Sequence, residues 1–205
     1  MKIDFKKSQD SYQATHNEFR IVGVPKMQYL MVDGHGDPNT SEEFGNAIEA
    51  LYPIAYKLKF ASKIELGKDY VVPPLEGLWW SADMATFTTN RDKSHWDWTM
   101  MIMTPDWITK EMFNTTVAKL DSKNAPASLK HVRLEPLEEG TCVQALHIGS
   151  YDNEGSLLEQ MHHEFIPNNN FKMVKKHHEI YFSDFRKVAP DKLKTILRHP
   201  VERAA

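Results

Sequence analysis

Apolar positions along the chain change their spacing several times, and each change marks an element. Residues 1 to 24 read as a polar lead-in that ends in a short extended piece at Arg20 to Val24, with Pro25 behind it. The β-branched and aromatic run MQYLMVD, Met27 to Asp33, predicts a strand that stops at the turn-rich GHGDPN of residues 34 to 39. Phe44, Ile48, Leu51, Ala55 and Leu58 then recur at helical spacing behind Ser41, a good N-cap with Glu42 and Glu43 in the first turn. Pro53 inside that pattern predicts a kink or a break.

LEGLWWS (75 to 81) and WDWTMMIM (96 to 103) read as two paired strands with a polar connection between them. Thr104, Pro105 and Asp106 predict the start of a second helix carrying Ile108, Met112, Phe113, Val117 and Leu120, which stops at Asn124, Ala125 and Pro126. The second half predicts a strand from His131 to Leu137, a tight turn, a strand from Thr141 to Ile148 and a turn at 149 to 154. A helix from 154 to about 166, a strand at 178 to 183 and a short C-terminal helix opened by Pro190 complete it.

The halves resemble each other. Setting YLMVDGHGD (29 to 37) against QALHIGSYD (144 to 152) places Gly34 on Gly149 and Asp37 on Asp152, and each segment precedes an amphipathic helix and a strand. In those strands LEGLWWS matches HEIYFSD (178 to 184), so Glu76 falls on Glu179. The expected architecture is α+β, one domain over residues 1 to 205 with internal repeats at about 25 to 104 and 128 to 200. Each repeat is a strand-helix-strand-strand module in pseudo-two-fold arrangement, with an antiparallel sheet, helices on one face and a central ligand cleft.

Charge narrows the partners. The 25 basic and 28 acidic residues are interspersed and sum to −3, which leaves no basic surface for a phosphate backbone, so no nucleic acid is expected. No apolar run suits a membrane span and the first residues lack an export signal's apolar core, so the reading is cytoplasmic, without a membrane partner, as a monomer or weak dimer. The single cysteine, Cys142, fits a reducing compartment and reads as a buried strand residue. Five Trp, seven Tyr, ten Phe and ten Met supply polarizable surface for a core or for a pocket that takes a small lipophilic or aromatic ligand.

Glu179 is the leading candidate for chemistry. Alternation in a strand puts Glu179, Tyr181 and Ser183 on one face and His178, Ile180 and Phe182 on the other. If the apolar face packs on helices, Glu179 and Tyr181 turn toward the cleft, as do Glu76, Leu78 and Trp80 in the first half, with Trp79 toward the core. A carboxylate among rings is partly desolvated, which tends to raise its pKa and make it a usable base or a counter-ion for a cation. The competing reading is a pair of strand glutamates at a solvated edge. Trp79, Trp80, Trp96, Trp98, Tyr151 and Tyr181 can stack on a planar ligand, although core packing explains any one of them alone. The motif HHE occurs at 162 to 164 and at 177 to 179, but neither copy converges three ligands by itself, so no metal is expected. No phosphate loop, dinucleotide fingerprint or nucleophile elbow is present, and no cofactor is expected.

The segments VPKMQYLMVDGHGDPN, PPLEGLWW, WDWTMMIM, ALHIGSYDNE, HHEIYFSD and APDKLKTILRHPV, spread from Val24 to Val201, resemble the stand-alone branch of the GyrI-like small-molecule-binding family. The resemblance implies the two-module fold. In regulators of that family the domain sits behind a DNA-binding segment, not expected in these 205 residues, and senses drugs with a buried glutamate whose position the resemblance puts at Glu179. For stand-alone relatives it implies hydrolysis that opens the strained cyclopropane of DNA-alkylating natural products and detoxifies them. On that reading Glu179 is the general base, with Glu76 the alternative base by symmetry, and Tyr181 or a Trp N–H steadies the developing phenolate. Trp79, Trp80, Trp98 and Tyr151 hold the ring system, with Glu76, His147 and His178 as further ligand contacts. The alternative is a protein that sequesters or senses drugs without turnover; an action on gyrase is suggested only by the family's name. The sequence departs from the family at Ser150 and Phe185, where proline is usual.

Overall fold

The computed structural model describes residues 2–82, 92–121 and 125–204. In chain order the first elements are β1 (Lys2–Ile3), α1 (Phe5–Ser8), β2 (Arg20–Val24), β3 (Met27–His35), α2 (Glu42–Glu65), β4 (Asp69–Tyr70) and β5 (Leu75–Trp80). There follow β6 (Asp97–Thr104), α3 (Lys110–Leu120), β7 (Arg133–Leu137), β8 (Gly140–Ile148), α4 (Gly155–Gln160) and α5 (Ile166–Asn168). The last strands are β9 (Phe171–Met173), β10 (His177–Tyr181) and β11 (Lys194–Arg203). Among the described residues no helix is long and apolar enough to cross a membrane.

The chain forms two compact units, one of Met1–Ser8 with Met27–Leu137, the other of Gln9–Lys26 with Glu138–Ala205. Unit one holds an antiparallel sheet in the order β5-β6-β3-β7, and β1 pairs with β4 in parallel beside it. Unit two holds an antiparallel sheet in the order β10-β11-β8-β2, with the short β9 also on β11. Both units therefore run strand, helix, strand, strand, through β3-α2-β5-β6 and through β8, α4–α5, β10 and β11.

In unit one, α2 begins where Ser41 accepts the Phe44 amide at 3.4 Å, and it runs through Pro53 without a break. Pro53 removes one backbone donor, but Leu51, Ile54, Ala55 and Leu58 are fully or almost fully buried and hold the helix on the sheet. Phe44 meets Trp79 at 6.1 Å and Trp98 at 5.2 Å, so the cross-strand pair Trp79 and Trp98 lies on the face that α2 covers. Gly34, expected in a turn, belongs to β3, and its missing side chain leaves room for the Trp98 ring. A Cβ there would lie 2.0 Å from the indole, which is wholly enclosed and has nowhere to move. Gly34→Ala is therefore expected to cost about 1–3 kcal/mol through overpacking, seen as a fall of several degrees in the thermal unfolding midpoint. An unchanged midpoint would mean the indole relocates freely.

Two predicted boundaries shift. The second helix starts at Thr109, whose side chain accepts the Met112 amide, because Thr104 is still paired with Gln28 in β6. The predicted stop at Asn124 lies outside the described residues. The C-terminal segment is the other correction: Pro190–Lys192 forms only a 3-10 turn, and the predicted helix is instead β11, the strand between β8 and β10. Seven successive residues from Thr195 to Val201 are buried, so β11 has no polar face to show in its pattern.

In unit two the helical run 155–168 passes through a π-helical turn, Met161–Phe165, between α4 and α5. Leu157, Met161 and Ile166 from this run pack on Val143, Ala145, Leu197 and Val201 of the sheet. Glu179 lies opposite Leu197, and Leu197 opposite Ala145, which puts Glu179 on the face that the helical run covers. This reverses the expectation that the Ile180 and Phe182 side packs on helices. That side is covered by the segment after Gln9: Tyr12 meets Phe182 edge-on at 6.4 Å, and the Arg198 guanidinium donates to the Ser11 carbonyl. Glu76, by contrast, pairs with Met101 and faces away from α2. The two glutamates aligned by sequence thus occupy opposite faces of their units.

Candidate functional site

Strand β10 sets out three side chains at two-residue spacing along the face under the helical run: His177, Glu179 and Tyr181. The Tyr181 hydroxyl donates to Glu179 Oε2 at 2.7 Å. His177 Nε2 lies 3.4 Å from the other carboxylate oxygen. The Glu179 side chain keeps 15% of its surface exposed, enough for a water molecule to reach it. Beyond Tyr181, the ring of Tyr151 stands edge-on at 5.7 Å, positioned by a 3-10 turn (Tyr151–Asn153) directly after β8. Burial, reinforced by the charges of Glu154, Glu179 and Asp184, pushes the Tyr151 phenol well above its ordinary range, so it stays a donor.

Cross-strand register carries the same face onward. Tyr181 sits opposite Thr195, and Thr195 opposite His147. His147 Nε2 lies 3.1 Å from the Ser150 carbonyl, and burial lowers the pKa of its imidazole. Thr195 is fully buried with no hydrogen-bond partner for its hydroxyl. Sequence reasoning missed Thr195 because it missed β11, whose residues Thr195 to Val201 are buried on both faces and so leave no alternating signal. Glu179, Tyr181, Tyr151 and His147 are therefore brought together as expected residues, with Thr195 among them.

Other expected contacts go elsewhere. His178 points to the opposite face, fully buried, with Nδ1 2.9 Å from Glu139 Oε1. It belongs to a buried polar network rather than to a ligand surface. Arg198 donates to Glu139 at 2.7 Å and to Gln144 at 2.9 Å, and Gln144 donates to the Gln13 carbonyl at 2.8 Å. Burial alone would raise the Glu139 carboxyl, but His178 and Arg198 outweigh it and hold its pKa at about 2. Cys142, on the same face, is buried, and burial pushes its thiol up to about 12, so it is inert.

The network has a pH signature. A carboxyl whose pKa falls from 4.5 to about 2 on folding gives stability that is fully present above the unfolded value. It is lost as the pH falls through the window between them. Unfolding free energy from urea titrations is expected to decline across that window, and Glu139→Gln should flatten the decline.

In unit one, Trp98 and Trp79 are core residues under α2, with Trp79 also 5.8 Å from Trp96, and so neither presents a stacking face. The reason is register: both lie on the helix side of the sheet. Glu76 and the half-buried Trp80 lie on the other side, where Thr99 donates to Asp33 at 2.7 Å and Arg133 also pairs with Asp33 at 2.9 Å.

The two HHE motifs meet in unit two. His162 from the π-helical turn and His177 from β10 converge with His199 of β11, and their ligand atoms all lie within 4.8 Å of one another. Burial, then the neighbouring imidazoles, lower His162 to about 3 and His199 to about 2. The expectation of no metal weighed each motif singly, and it is the first histidine of each motif that the fold joins.

The chain is an α+β protein of two units, one carrying an acid between a phenol and an imidazole. The sequence matches the GyrI-like small molecule binding domain over residues 17–202, and the chain belongs to that family. Among solved structures it is similar to an uncharacterized conserved protein from Listeria innocua, at 38% identity and a TM-score of 0.88, covering 98% of this chain and 100% of that one. It is also similar to a hydrolase from Listeria innocua, at 37% identity, a TM-score of 0.83 and the same coverage. The EcmrR C-terminal domain, at 13% identity, a TM-score of 0.56 and coverage of 91% of this chain and 98% of that one, shares the fold. None of the curated proteins compared matches the chain.

Proposed function

We propose that the protein is a cytoplasmic hydrolase that adds water to electrophilic aromatic compounds and opens the cyclopropane of DNA-alkylating natural products. The observation that carries this reading is Glu179, partly exposed, with one oxygen held by the Tyr181 hydroxyl at 2.7 Å. The similarity to a Listeria innocua hydrolase supports it. A spiro-cyclopropane conjugated to a dienone already stores the strain of the reaction, so the protein needs chiefly to place water and hold the ligand. Glu179 takes a proton from water as the oxygen attacks a ring carbon. The carbon–carbon bond breaks and its electron pair moves into the dienone, giving a phenolate that is then protonated. With Tyr181 engaged on Oε2, Oε1 is the acceptor for the water proton, and Tyr151 is the donor for the phenolate. The buried Glu76 and the half-buried Trp80, on one face of the unit-one sheet, are further candidate ligand contacts.

The second reading, sequestration without turnover, is favoured by the family's small-molecule-binding description. Following the dienone absorbance of a cyclopropane-bearing alkylator separates the two. Many turnovers per chain support hydrolysis, whereas loss of absorbance that stops at one equivalent leaves a binding protein.

A further inference from the structure

The three histidines on the inner side of unit two suit a task that neither the fold nor hydrolysis by Glu179 requires. Their ring centroids form a closed triangle, with 5.0 Å from His162 to His199, 6.3 Å from His162 to His177 and 6.0 Å from His177 to His199. His177 and His199 are buried and His162 is partly buried. Nε2 of His162, Nδ1 of His199 and both nitrogens of His177 are enclosed without a hydrogen-bond partner. The 3.4 Å approach of His177 Nε2 to Glu179 is not aligned as a hydrogen bond. Leaving buried ring nitrogens unmet costs stability, and three of them aimed at one point is a donor set awaiting an acceptor of lone pairs. The backbone adds an independent sign: His162 rides on a π-helical turn, a rare irregularity that is frequent at functional sites.

We propose that His162, His177 and His199 bind one divalent transition-metal ion of the zinc class. Neutral imidazoles are the nitrogen donors that zinc, cobalt and nickel prefer, and three of them leave a fourth position for water or a carboxylate. Tetrahedral zinc at ordinary bond lengths sets its nitrogens about 3.4 Å apart, and the donors now lie within 4.8 Å of one another, so they need close by at most about 1.4 Å. The ion ties the helical run to β10 and β11, which contribute one ligand each. Glu179 Oε1 lies 3.4 Å from His177 Nε2, so a small turn of the imidazole on binding through Nδ1 would let the carboxylate accept from that N–H and fix the ring. The site does not depend on the hydrolase reading.

The test uses the full chain stripped with a chelator and titrated with ZnCl2 alone, and with Co(II) as a visible probe. One ion per chain is expected, with the d–d bands of four-coordinate Co(II) and an unfolding midpoint that rises with zinc. His162→Gln should weaken binding by at least roughly hundredfold, since losing a ligand costs more than losing a ligand's hydrogen-bond partner, while His163→Gln should leave it unchanged. Imidazole resonances of the unsubstituted protein give a readout that does not depend on a variant folding. His162, His177 and His199 should shift together at one equivalent of zinc. Failure to bind, equal affinity in the two variants, or shifts confined to exposed histidines such as His35 and His95 overturns the proposal.

Discussion

Glu179→Gln is expected to lower turnover of a cyclopropane-bearing dienone by about 100- to 10,000-fold, the range a positioned general base supplies. The amide has almost the same shape and can still accept from Tyr181, whose hydroxyl lies 2.7 Å from the carboxylate. What it cannot do is take a proton from water. Affinity for a neutral ligand, followed by tryptophan fluorescence, should change little, and the midpoint of unfolding should stay within a few degrees. A variant as fast as the parent moves the base elsewhere, and Glu76→Gln is then the next substitution to make. Tyr181→Phe offers a smaller companion effect, since it frees Oε2 without removing the base.

Arg198→Met is expected to produce the largest loss of stability, about 3–5 kcal/mol, because it leaves the buried Glu139 carboxylate without its closest cation. For a chain of this size that is a fall of roughly 10 °C in the unfolding midpoint. The double variant Arg198→Met with Glu139→Leu should recover much of the loss, since an apolar pair carries no stranded charge. Full recovery is not expected, because Gln144 and the Ser11 carbonyl also lose a donor. A single variant as stable as the parent would show that water reaches Glu139 and screens it.

How far these features can be read from sequence depends on the physical signal each one leaves. The strands at Met27, Asp97 and Gly140 are runs of β-branched, aromatic and methionine side chains bounded by turn residues, and their pattern alone places them within a few positions. β11 is buried on both faces and carries Arg198, His199 and Pro200, so it shows neither alternation nor a clean apolar run. Missing it hid Thr195 and His199 together. The face of Glu179 was misjudged for a related reason. Ile180 and Phe182 do face apolar cover, but it comes from the segment around Tyr12, whose polar composition gave no hint that it packs. The histidine triangle depends on three separate elements meeting in space, and no spacing along the chain encodes that.

The way the chain is threaded constrains how this molecule can be taken apart. Residues 9–26 are folded with the C-terminal third, while the first eight lie with the middle of the chain, so the backbone passes between units three times. A fragment beginning at Glu138 would lack the carbonyls of Ser11 and Gln13 that engage Arg198 and Gln144. The second half is therefore not self-sufficient when excised at a single junction. A viable split must carry residues 9–26 along with the second half.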